Sequence, residues 1–256
     1  MTRLGGDDFY VGYVPVAPAG LGRAVRIRVV TGLLLAGVIV VGLAVAQRHF
    51  APARFEYGMP RTIVGIVQER PYPVVRVPTL TGPDSGRWVS YLLTAAGKHG
   101  AGPEVRGWDG RWTKLEGALA SRRKDLLLEV ERATAAPAPP GMPGLQLAPK
   151  EMGTETFVGE IVDGKCYLGV MNPGAGVTHR GCATLCLRGG TPPLFEVTRS
   201  AGVTQTMLLV DDRGRPLTDR LAGWIGSPVR VRGRLTLDGD LLFLWADPVT
   251  YQRVER

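Results

Sequence analysis

Cys166, Cys182 and Cys186 are the only cysteines in 256 residues, and they fall within one 21-residue stretch with His179 between them. Thiolate and imidazole are ligands for thiophilic metals, so the grouping is more informative than the number. Cys182 and Cys186 stand four apart and His179 stands three before Cys182, so one helical stretch sets all three on a common face. Cys166 follows a strand-like run and closes over a Pro-Gly-rich loop that contains Met171. Three sulfurs and one imidazole form a tetrahedral set of the kind that holds zinc in structural sites. Copper, drawing on the Met171 thioether, is the less suited ion. No Cys-x-x-Cys run occurs, so haem and iron–sulfur ligation are poorly served. A binuclear copper loop needs a histidine four residues after its second cysteine, where Gly190 stands here. A disulfide competes closely with metal: Cys166 bridges to Cys182 or Cys186, pins the loop, and leaves one thiol free with His179 as a cap or surface residue. A redox-active thiol pair is the third reading. The odd cysteine favours metal, so the expected ligands are Cys166, His179, Cys182 and Cys186 around one zinc ion.

The surrounding pattern is Gly159-x3-Asp163-x2-Cys166, then His179-x2-Cys182-Ala183-x2-Cys186-x2-Gly189-Gly190-x-Pro192. Over residues 159–192 it resembles small exported bacterial domains that carry no named activity and are associated with membrane-bound redox systems. The resemblance implies an accessory place in such a system and no mechanism.

The cluster needs a scaffold, and the scaffold begins at a membrane. Residues 29–46 (VVTGLLLAGVIVVGLAVA) hold no charge and one polar side chain, Thr31. As a helix they span about 27 Å, close to the thickness of a hydrocarbon core. Arg23, Arg26 and Arg28 before the segment outweigh Arg48 and Arg54 after it, which places residues 1–28 inside as a cytoplasmic leader. The expected location is a single pass through the inner membrane with the rest of the chain in the periplasm. A cleaved signal peptide is the rival, since Ala44-Val45-Ala46 satisfies the small-x-small rule. Phe9, Tyr10 and Tyr13 in the leader read either as part of a disordered tail or as a docking strip.

The exported region divides at a Pro-rich linker, residues 133–149, into residues 54–132 and 150–256. The halves repeat. Gly107-Trp108-Asp109-Gly110 aligns with Gly223-Trp224-Ile225-Gly226 at an offset of 116, which also pairs Gly117 with Gly233 and Leu128 with Leu244. Thr62-Ile63-Val64-Gly65 resembles Thr156-Phe157-Val158-Gly159 at an offset of 94, so the second half has gained a loop between its front and its back. Residues 229–235 alternate apolar and polar, the signature of a half-buried strand. Asp238-Gly239 marks a hairpin, and Gly233 inside a strand marks a bulge or tight bend. The expected fold is mainly β: one N-terminal transmembrane helix followed by two tandem small OB-like barrels. Trp108 and Trp224 are expected to pack on the barrels.

The net charge of +8 invites a nucleic-acid reading. Most of that charge lies beyond the membrane segment, and no dense basic run interleaves with aromatics, so nucleic acid is excluded as an expected partner. No hydrolase, P-loop or dinucleotide fingerprint occurs. His99 sits in a glycine-rich loop, His49 abuts the membrane segment, and Asp211-Asp212 precedes a turn glycine. The expectation is a non-catalytic accessory or assembly subunit of a bacterial membrane-bound redox complex, partnered by other membrane subunits such as cytochromes. A membrane-anchored metal or cofactor delivery protein and a thiol–disulfide protein are the alternatives.

Overall fold

The structure is a computed structural model that describes residues 19–47, 53–79, 86–140, 142, 144–198 and 204–254. The aromatic leader residues and His49 lie outside the described residues.

The apolar run forms helix α1 (Ala19–Gln47). It starts ten residues before the uncharged segment, since arginine propagates a helix well. None of its most apolar window is buried, so it is long and apolar enough to cross a membrane, a property it shares with signal sequences.

Residues 52–256 form a second compact unit containing both barrels. The first barrel uses β1 (Arg61–Gln68), β2 (Val74–Pro78), β3 (Trp88–Ala95), β4 (Trp112–Arg122) and β5 (Asp125–Ala135). β1, β2 and β3 form an antiparallel meander, β3 pairs parallel with β5, β5 pairs with β4, and β4 returns to β1. The second barrel uses β6 (Lys150–Asp163), β7 (Pro193–Thr198), β8 (Thr204–Val210), β9 (Pro228–Asp238) and β10 (Leu241–Trp245). Its pairings repeat the same ring, including the parallel pair β8–β10. Both are closed five-stranded barrels of OB type.

The repeat is physical as well as textual. Gly117 in β4 and Gly233 in β9 occupy matching sites, and a Cβ there would lie 2.0 Å from Glu129 O and 2.5 Å from Trp245 O respectively. The register shifts nearby are not equivalent: Glu116/Gly117 breaks the pairing of β4 with β5, whereas Arg234/Thr236 breaks the pairing of β9 with β6. Trp108 packs against the core of the first barrel and Trp224 against that of the second.

Each barrel has its own interior, and a third core joins them. Tyr72, Leu92 and Leu127 of the first barrel pack with Tyr167, Leu194 and Leu208 of the second. The Tyr72 hydroxyl, inside this seam, donates to Leu209 O at 2.8 Å and accepts from Leu217 N at 2.9 Å. Arg76, 1% exposed, reaches from β2 to Asp238 at 2.8 Å. β5 runs to Ala135, so the first residues of the Pro-rich stretch belong to a strand.

Candidate metal centre

In the first barrel residues 69–73 join β1 to β2. In the second, residues 164–192 occupy the same connection, and the Cys/His cluster lies there. Asp163 ends β6 with no exposed surface, and its Oδ1 accepts from Cys166 N at 2.8 Å. This bond turns the chain off the strand into a tight π-type turn, Cys166–Val170, whose Tyr167 and Leu168 enter the seam core. The loop then descends to a 3-10 turn, Val177–His179, which runs directly into helix α2 (Arg180–Arg188). Ala183, Cys186 and Leu187 form the buried face of α2. Gly190, at φ +95°, stops the helix with its N–H on Leu187 O at 2.9 Å.

The four residues expected as ligands fall into two overlapping groups rather than one set. Cys166 Sγ lies 3.9 Å from Cys182 Sγ and 4.0 Å from Cys186 Sγ. Ligand atoms of Cys166, His179 and Cys182 lie within 4.8 Å of one another, as do those of Asp163, Cys166 and Cys186. Two sulfurs bound to one tetrahedral zinc ion at about 2.3 Å stand about 3.8 Å apart, close to both observed separations. A disulfide needs sulfurs at about 2.05 Å. All three cysteines are free thiols, so the bridge expected as the alternative is not formed. Met171 is 44% exposed, so the thioether that would favour copper is turned largely to solvent.

His179 is 4% exposed, and its Nε2 lies 3.0 Å from Asp163 Oδ2. A carboxylate on one imidazole nitrogen fixes the ring and leaves the other nitrogen, Nδ1, to ligate. Cys166 and Cys186 share a sulfur–sulfur hydrogen bond: this bond, burial and the nearby Asp163 charge push Cys166 up, and the same bond holds Cys186 down. Cys182 is the partly exposed member. Its sulfur accepts from Lys98 Nζ at 2.8 Å, a bond that raises the Lys98 pKa. Lys98 comes from the first barrel, on the turn between β3 and the short strand His99–Gly100. Chemically, the site offers two overlapping, largely buried groups, Cys166 with His179 and Cys182 and Asp163 with Cys166 and Cys186, either of which can hold a metal ion.

The structure brings the expected ligands into one region, and sequence reasoning missed the residues around them. Asp163 stood in the quoted pattern without a role. Lys98 and Lys165 carried no signal; Lys165, 2% exposed, donates to the carbonyls of Ala95 at 2.6 Å and Gly97 at 2.7 Å. His99 is exposed. Asp211 is a turn residue, accepting from Arg213 N at 2.9 Å and Arg215 N at 2.7 Å.

No family model matches this chain, and no curated protein matches it. Among solved structures, one of a deletion mutant of the single-stranded DNA binding protein from Thermus aquaticus matches at 10% identity and a TM-score of 0.22, over 80% of this chain and 89% of that one. That likeness is too distant to assign a ligand. The expected exclusion of nucleic acid does not stand: it had rested partly on which side of a membrane the barrels lie, which the fold does not fix, and OB barrels serve oligonucleotides elsewhere.

Proposed function

We propose that Cys166, His179, Cys182 and Cys186 hold one structural zinc ion, and that the chain is a non-catalytic accessory subunit of a membrane-bound redox complex. The sulfur separations of 3.9 and 4.0 Å carry the zinc reading, because they fit the edge of a zinc tetrahedron and not a disulfide. Bound there, zinc would tie the end of β6 to α2 and fix the long connection. The accessory reading rests on the resemblance of residues 159–192 and on α1, read as a retained anchor with its arginine-flanked end inside. A closed shell of four protein ligands leaves no open position for substrate, which is the pattern of structural rather than catalytic zinc.

Detergent extraction of the full chain from membranes tests both parts. About one zinc per chain, retained through reductant treatment, is the expected result for the site; a zinc-free protein carrying a disulfide overturns it. Co-purification with a redox-active membrane complex is the expected result for the role, and migration of the chain alone overturns it.

A further inference from the structure

Every ligand of the centre belongs to the second barrel, yet its most accessible sulfur is covered by the first. We propose that Lys98 is a positioning residue for the metal centre: it donates to metal-bound Cys182, supplies counter-charge, and links metal occupancy to closure of the seam between the barrels. This deepens the zinc reading above and rests on it.

Three observations carry the inference. The first is contact: Lys98 Nζ stands 2.8 Å from Cys182 Sγ, across 84 residues of sequence. The second is charge. Three thiolates and a neutral imidazole around a divalent ion leave one net negative charge, and the Asp163 carboxylate beside His179 adds another; the Lys98 ammonium offsets one of the two, and a charged N–H donor is also the stronger kind of hydrogen bond to an anion. The third is that the turn bearing Lys98 is held in place from the second barrel. Lys165, next to Cys166, bonds both Ala95 O and Gly97 O and pairs with Glu129 of β5 at 2.5 Å. Gly100 N donates to Gly189 O at 2.9 Å, just past the end of the helix that bears Cys182 and Cys186. A Cβ at Gly189 would lie 1.7 Å from Lys98 O, so the two backbones meet with no room for a side chain. Lys98 is thus held at the sulfur by a built contact on both sides.

The test compares full-length wild type with Lys98→Met and Lys98→Arg, each loaded with zinc. Zinc stoichiometry, affinity by chelator competition and the alkylation rate of Cys182 by iodoacetamide are measured, together with hydrogen exchange at the Gly100 amide. Lys98→Met is expected to keep one zinc, to bind it about ten-fold more weakly, and to expose Cys182 to faster alkylation. Lys98→Arg is expected to restore most of both. Zinc loading is expected to slow exchange at Gly100 in wild type and to slow it less in Lys98→Met. Unchanged affinity and unchanged Cys182 reactivity in Lys98→Met overturn the role of Lys98 and leave the zinc reading standing. Wild type that binds no zinc overturns both.

Discussion

The first barrel and the second share a ring order and a glycine pressed against the following strand, and they differ most at one connection. Between β1 and β2 the chain uses residues 69–73, and Glu69 there accepts the backbone N–H groups of Gly107 at 2.6 Å and Trp108 at 3.1 Å. That barrel ties the connection down with two carboxylates, since Asp109 Oδ1 accepts in turn from Glu69 N at 2.9 Å. Between β6 and β7 the chain uses residues 164–192, far too long to be held that way, and three thiols, an imidazole and a buried aspartate gather there. The difference shows that an OB ring tolerates a large insertion at its first connection, provided the insertion brings its own means of closure. It also shows that the plainer barrel is not a spectator, since it contributes Lys98 and half of the seam.

The sharpest way to break this comparison is to attack the seam. Leu127 and Leu208 are 0% and 2% exposed. Leu208→Ala is expected to cost about 2–5 kcal/mol in urea unfolding and to lower one shared transition. Two separate transitions would show that the barrels are independent. Removal of a ligand comes next. Cys186→Ser is expected to weaken zinc binding by more than about a hundred-fold, beyond what loss of an outer-shell partner costs, while Asp163→Asn is expected to cost about ten- to a hundred-fold. Chelation of wild type should open residues 164–192 to limited proteolysis and leave residues 61–122 protected. Equal sensitivity of the two barrels would undo the contrast.

The shared ring is tested at matching sites. Gly117→Ala and Gly233→Ala each place a Cβ against a carbonyl of the neighbouring strand, so each is expected to lose about 1–3 kcal/mol of stability. A large cost at one site and none at the other would mean that the barrels close differently. The smallest effect has the opposite sign. Gly181 lies within α2 with nothing within 4 Å of its would-be Cβ, so Gly181→Ala should stabilise the protein by about 0.5–1 kcal/mol. The measurement is a thermal melt of the zinc-loaded chain.

Much of this was legible from residue order. The uncharged run gave α1, period-two alternation and the Asp-Gly turn gave β9 and β10, and the two repeat offsets located the inserted connection. The closeness of His179 to Cys182 was legible because their spacing is local, at the start of α2. What stayed hidden was non-local. Leu194 and Leu208 face the seam, but an alternating strand does not say whether its buried face meets its own barrel or another. The prolines of residues 133–149 read as a divider, although β5 extends into them and the seam core closes beneath. Lys98 lies on an exposed turn, and nothing in its neighbourhood announces a sulfur 84 residues away.

The seam has a consequence for the connection that spans it. The described residues of 136–149 are exposed or half-buried, and the segment joins barrels that already hold one another through buried leucines, Tyr72 and Arg76. The peptide link therefore serves as a tether for assembly more than as a bond for cohesion. Once folded, a chain nicked there should persist as two fragments moving as one particle, and the fragments made apart should find each other without it.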